Sequence, residues 1–249
     1  MFYTHGGGWI KGGKENIVRG LQKDTFLKFV EEGYAVVSIN YRLVRGRTLV
    51  MKDCVVDAMD ALRYLSKNSK DLFLDTNKVF VIGDSAGGQL AQMVTLADAK
   101  KFKGDKSLFE YKYNVIAGIS WYGPSDFTKV ELFKTEDTTK NPDRFGGRIV
   151  NRKKIDASTK LEMYKEMSPI SYLTPNSPPL YMMAAENDTT IPVAHAYHMK
   201  KYADSIKANV ELFTVKNAGH NWRRAGGAIN PSSQVFVQKT VDFFNKYKK

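Results

Sequence analysis

The chain of 249 residues sets 38 Lys and Arg against 26 Asp and Glu, for a formal net charge of +12 and a pI near 9.5. Its 43% hydrophobic content, with 14 Phe, 13 Tyr and 3 Trp, is enough for a packed core and excludes disordered, collagenous and low-complexity classes. No apolar run reaches the roughly 18 to 20 residues that span a bilayer, the start lacks the pattern of a signal peptide, and the single Cys54 can close no internal disulfide. The expectation is a soluble chain with no membrane partner.

Short β-rich runs alternate with segments of helical period, the pattern of βαβ units around a parallel sheet. Phe2–Thr4 reads as the first strand, and a loose period at Val18, Leu21, Phe26 and Phe29 as the first helix. Residues 34–40 form the next strand. Val55, Ala58, Met59, Leu62 and Leu65 then follow the i, i+3, i+4, i+7 spacing of a buried helix face. The strand over 79–83 leads into a helix whose core face is Leu90, Met93, Val94 and Ala97, and Val115–Trp121 is the fourth strand. Residues 127–168 break the alternation: the stretch is polar and mixed in charge, and reads as an excursion over the strand ends, a lid or binding loop. Strands at Leu180–Ala185 and 210–214, a helix after Pro192, and a terminal helix on Val237, Val241 and Phe244 complete the chain. The fold class is α/β: one domain over 1–249, a mostly parallel sheet sandwiched by helices, with a cap-like insertion at about 127–168. The basic residues are scattered, as in Lys100, Lys101, Lys103 and Lys106, or Arg152, Lys153 and Lys154. Without a recognition motif they read as a solvated surface and not as a nucleic-acid interface.

Gly83-Asp84-Ser85-Ala86-Gly87 fits G-x-S-x-G, follows a strand and opens a helix, as the motif requires. Such a turn holds its middle residue strained at the tip, and glycine flanks let neighbouring backbone pass close by. Ser85 is therefore the candidate nucleophile, with helix N-terminal amides beneath it to favour an oxyanion. Upstream, His5-Gly6-Gly7-Gly8-Trp9 offers the side-chain-free backbone that an oxyanion hole needs. Gly8 to Lys14 also satisfies the spacing of a phosphate loop, but Glu15 stands where a magnesium-binding Ser or Thr belongs.

A serine hydroxyl needs a base, and there are four histidines. His195 and His198, three apart on a helix, lack a third metal ligand and read as a solvated face. His5 belongs to the glycine loop, where it holds the loop by hydrogen bonds. His220, in a loop just after a strand, is the candidate base. Its orienting carboxylate is Asp188, with Glu186 as the alternative, both after the strand Leu180–Ala185. The order Ser85, Asp188, His220 is that of the α/β-hydrolases and not of chymotrypsin or subtilisin.

HGGGW, GDSAGG, the acid after a strand and AGH together resemble the hormone-sensitive-lipase-like branch of the α/β-hydrolase fold. The nearest group is the small microbial acetyl-xylan and feruloyl esterase-like carboxylesterases. Ser38 to Leu43, Tyr122 to Asp126, Ser168-Pro169-Ile170 and Ile191-Pro192 support that group, while the resemblance is thin across 127–167. It implies a serine carboxylesterase for short-chain acyl or aromatic esters, plausibly acetyl or feruloyl esters of plant-wall xylan, with Ser85, Asp188 and His220 catalytic. The amides of Gly7, Gly8 and Ala86 would form the oxyanion hole, with Trp9, Trp121 and Tyr122 walling the pocket. No metal or organic cofactor is implied, and the partner is a small ester or acylated carbohydrate. An arylformamidase-like amidase is the alternative, and a catalytically silent binding protein a more distant one. Members of the group carry further strands ahead of HGGGW, so the expectation is a sheet without them. It would have an exposed edge beside Phe2–Thr4 through which a second copy associates.

Overall fold

The computed structural model describes residues 1–46, 48–150 and 155–248. In chain order the elements are β1 (Phe2–Thr4), α1 (Gly20–Glu31), β2 (Val37–Ser38), α2 (Met51–Lys67), β3 (Val79–Asp84), α3 (Ala86–Leu96), β4 (Val115–Trp121), α4 (Gly146–Ile149), α5 (Ala157–Met167), β5 (Leu180–Ala185), α6 (Ala194–Ile206), β6 (Val210–Val215) and α7 (Ser233–Asn245). The strands form one sheet in the order β2-β1-β3-β4-β5-β6, and every pairing is parallel. Parallel strands need crossovers, and the helices that supply them cover both faces. Strands β3 and β5 are consequently buried at every residue.

Alternation along β3 sorts its side chains between two layers. Val79 and Val81 join Met59 of α2 and Leu90 of α3, whereas Phe80 and Ile82 join Phe26 of α1 and Phe244 of α7. A third cluster packs Met199 and Ala203 of α6 on Leu180 and Met182 of β5. Cys54 sits inside the α2 layer, its thiol donating to the carbonyl of Arg42 at 3.1 Å and pushed by burial up to about 12.

Three expectations change. The strand over 34–40 shortens to Val37–Ser38, because its partner β1 is only three residues long and pairing ends with it. The unpaired edge expected beside Phe2–Thr4 lies one strand further out, because β2 pairs on the outer side of β1, which is thus flanked by both β2 and β3. Val18 is not on the buried face of α1 but 65% exposed, at the end of a short 3-10 turn that precedes the helix.

The excursion at 127–168 is polar only on average. Phe127, Phe133, Phe145, Ile149, Tyr164 and Met167 within it are buried in the cluster shared with α2 and α3, although Leu161 stays exposed. They come in ones and twos from α4, α5 and short turns, pairs too short to establish a period. Lys100, Lys101, Lys103 and Lys106 are exposed, and Arg152, Lys153 and Lys154 lie outside the described residues. Among the described residues no helix is long and apolar enough to cross a membrane.

The Phe244 ring joins three elements, meeting Phe29 at 5.7 Å and Phe80 at 5.1 Å between centroids. Phe244→Ala is expected to cost about 3–5 kcal/mol, read as a lowered urea midpoint with the far-ultraviolet circular dichroism of the folded state retained.

Candidate active site

Because all strands run in one direction, the loops after β1, β3, β5 and β6 emerge at one edge of the sheet, the usual place for a site in such folds. Ser85 stands at the turn from β3 into α3 with φ +54° and ψ −119°, a left-handed conformation that a non-glycine residue adopts at a cost of about 1–3 kcal/mol. The turn closes because Gly87 lies directly against β1: a β-carbon there would collide with the carbonyl oxygens of Thr4 and His5. The Ser85 amide donates to Trp121 at 2.8 Å, tying the turn to β4.

The loop after β1 is held from three sides. Asp84 Oδ1 accepts from the Tyr3 hydroxyl at 2.6 Å and from the Gly6 amide at 3.0 Å, with burial raising its carboxyl above the usual range. His5 donates Nδ1 to the Gly6 carbonyl at 2.7 Å, stacks on Tyr41 at 4.2 Å, and is pushed by burial below the ordinary imidazole range. The Trp9 indole donates to Gln89 Oε1 at 3.1 Å, and Gln89 in turn donates to the Met167 carbonyl at 2.9 Å. Gly7 and Gly8, with φ of +127° and +60°, thereby face the same cavity as Ser85. Ala86 opens α3, so its amide is one of those that no helical carbonyl accepts.

His220 Nε2 lies 2.9 Å from Ser85 Oγ, and its Nδ1 lies 2.7 Å from Asp188 Oδ2. The carboxylate can only accept, so Nδ1 donates and Nε2 is left with its lone pair toward the serine hydroxyl. Asp188 is itself fixed: its Oδ1 accepts from the amides of Thr190 at 2.7 Å and Ile191 at 2.9 Å. The edge of Tyr122 supports the imidazole ring at 5.0 Å. Ser85, His220, Gly7, Gly8, Trp9, Phe145 and Arg148 share one cavity of about 320 Å³.

Other expected positions fall elsewhere. Glu186 accepts from Thr214 at 2.8 Å and takes no part in the His220 contact. Trp121 does not wall the cavity: strand alternation turns it to the α7 face, where it donates to Thr240 at 3.2 Å and meets Trp222 at 5.7 Å. Tyr122 lies beneath His220 and against Trp222 and is likewise absent from the cavity wall. His195 and His198 are not a solvated face. His195 is buried against Phe133 at 4.1 Å, and His198 contacts Asp126 at 3.1 Å, because the excursion covers this side of α6. The ties made by Tyr3, Asp84, Tyr41 and Gln89 carry no motif of their own, although Asp84 lies within the G-x-S-x-G run.

The BD-FAE family model matches residues 1–202. A probable carboxylic ester hydrolase, LipM of Mycobacterium tuberculosis, is 25% identical over 79% of this chain and 42% of its own length. An ethyl acetate hydrolase of Pseudomonas putida is 24% identical over 95% of this chain and 70% of its own. The chain spans about half the length of LipM and of two further mycobacterial esterases it matches. Among solved structures, a truncated form of a carbohydrate esterase from gut microbiota superposes with a TM-score of 0.80 at 18% identity, covering 99% of this chain and 85% of that one.

Burial, against the opposing pull of Asp126, pushes the His195 imidazole down from 6.5 to about 3. With the folded value below the unfolded one, the unfolded chain binds more protons between them, so stability rises with pH in that window. The contribution is complete above pH 6.5 and is lost as pH falls toward 3, at up to about 1.4 kcal/mol per pH unit. Urea midpoints from pH 7 to pH 4.5 should show this slope in wild type and a flatter one in His195→Gln.

Proposed function

The chain belongs to the BD-FAE family and has the α/β-hydrolase fold of the hormone-sensitive-lipase-like branch, and on that basis we propose that it is a serine carboxylesterase. Its substrates are short-chain acyl or aromatic esters, with acetyl and feruloyl esters of plant-wall xylan as the leading candidates. The observation that carries this reading is the relay Ser85, His220, Asp188, with contacts of 2.9 and 2.7 Å at the wall of a cavity that Gly7 and Gly8 also line. At about 320 Å³ the cavity lies at the small end of ligand sites, which suits a short acyl chain or a single ring.

Ser85 Oγ attacks the ester carbonyl carbon while His220 Nε2 takes the hydroxyl proton, and Asp188 stabilises the imidazolium so formed. The oxygen that becomes negative is received by the amides of Gly7, Gly8 and Ala86. Collapse of the tetrahedral adduct breaks the ester C–O bond, and His220 returns the proton to the departing alcohol. Water, deprotonated by the same imidazole, then attacks the acyl-enzyme and releases the acid and free Ser85. Phe145 and Arg148, from the segment that crosses the strand ends, stand in the cavity wall and act as its cover.

The test is hydrolysis of p-nitrophenyl acetate, butyrate and octanoate beside methyl ferulate, acetylated xylan and N-formylkynurenine. Wild type is expected to cleave the acetate and ferulate esters. Ser85→Ala should lower kcat by roughly 10⁴-fold or more, and Asp188→Asn by roughly 10³ to 10⁴. Glu186→Gln should keep most of the activity. Preference for the formamide would move the assignment to an arylformamidase, and equal activity of Ser85→Ala and wild type would remove Ser85 as nucleophile.

A further inference from the structure

Two arginines one helical turn apart, Arg144 and Arg148, flank the Phe145 ring, at 5.1 and 4.8 Å from its centroid. Their surroundings differ. Arg144 donates to the carbonyls of Phe133 at 2.8 Å and Thr190 at 2.7 Å, so its fork is satisfied by backbone. Arg148 has only ring faces, Phe145 and Trp9, the latter at 5.8 Å. Among the described residues its guanidinium makes no hydrogen bond or ion pair, and its Nη1 is buried without a partner. Burial and the Arg144 charge lower its pKa, yet a guanidinium remains charged at neutral pH.

A buried donor on a charged group that nothing answers is costly and calls for an explanation. Arg148 lines the cavity that holds Ser85 and His220, and its Nη1 rests on Gly8, 3.0 Å from where a β-carbon would stand. Asp188, the carboxylate that faces Arg144, is occupied by His220 and the amides of Thr190 and Ile191. Trp9, held by Gln89, is a fixed platform on which the guanidinium is oriented without being neutralised. A planar fork of donors held in this way suits the two oxygens of a carboxylate.

We propose that Arg148 determines the specificity of this site, and that the preferred ester carries a free carboxylate, on its acyl or its alcohol part, which the guanidinium binds while Ser85 attacks the ester carbonyl. This rests on the esterase reading above. The carboxylate replaces the missing hydrogen-bond partner and cancels the unpaired charge, and a neutral ester of the same shape does neither.

Two matched pairs test it in a pH-stat at pH 7.5. Monomethyl glutarate against methyl hexanoate places the charge on the acyl side, and acetoxyacetate against propyl acetate places it on the alcohol side. In wild type, kcat/KM for the charged member of at least one pair is expected to exceed that of its neutral counterpart by about tenfold or more, mainly through KM. The responding pair identifies the side. The ratio should fall toward one in Arg148→Met and recover in part in Arg148→Lys. Ratios of one or less in both pairs, from an enzyme that hydrolyses p-nitrophenyl acetate, would overturn the inference and leave the esterase reading standing. So would an Arg148→Met that slows both members equally, the mark of a side chain that only packs on Trp9 and Phe145. Should Arg148→Met not fold, competition in wild type decides: glutarate must inhibit at least tenfold more tightly than valeramide. If wild type cleaves no ester at all, the esterase reading fails, and calorimetric binding of glutarate, present in wild type, weakened in Arg148→Lys and lost in Arg148→Met, tests the carboxylate site on its own.

Discussion

Gly87 packs against the end of β1 with no room for a side chain, and the site depends on that contact. The carbonyls of Thr4 and His5 pass where its β-carbon would be, which brings the glycine loop after β1 beside the turn that carries Ser85. The left-handed Ser85 backbone costs about 1–3 kcal/mol, and local bonds offset it. The Thr4 hydroxyl donates to Gly87 at 2.7 Å, and Asp84 binds both Tyr3 and Gly6. The Ser85 turn and the glycine loop are therefore a single mechanical unit, and neither can move without breaking buried hydrogen bonds.

The other half of the relay arrives on β5 and β6, and backbone pairing sets its position. The ladder continues past the strands: Glu186 donates to Val215 at 3.0 Å and Asn187 to Ala218 at 2.9 Å. These bonds bring the two loops level, so that a carboxylate three residues beyond β5 meets a histidine beyond β6. Tyr122, extending from β4 and buried, fills the space beneath the imidazole. Hydrogen-bond geometry tolerates errors of only a few tenths of an ångström, which a buried parallel sheet can guarantee and a free loop cannot.

The segment over the strand ends is joined to this frame by aromatic contacts. Trp9 meets Phe127 at 5.9 Å and Phe145 at 5.7 Å, and Phe133 stacks on Phe127 at 5.7 Å. Gln89 bridges Trp9 to the Met167 carbonyl, linking the glycine loop, α3 and the end of α5 through one buried amide. The cover of the cavity is thus an extension of the core, and the charge it contributes, Arg148, is held on a rigid support.

The doubly covered parallel sheet, Ser85 at its turn, the glycine loop and His220 were legible in the sequence, because each depends on short-range chemistry. Strand runs, helical periods and glycines at fixed offsets act over a few residues and leave a pattern there. Asp188 over Glu186 was a preference that only the meeting of two loops could resolve. The inward turn of Trp121, the burial of His195 and the exposure of Val18 followed from which face each element presents, and no local pattern records that. The same holds for the buried aromatics of 127–168 and for Arg148. Their apolar and charged partners lie on distant elements, so the sequence determined the chemistry available at the strand ends, and tertiary packing alone decided which side chains reach the cavity.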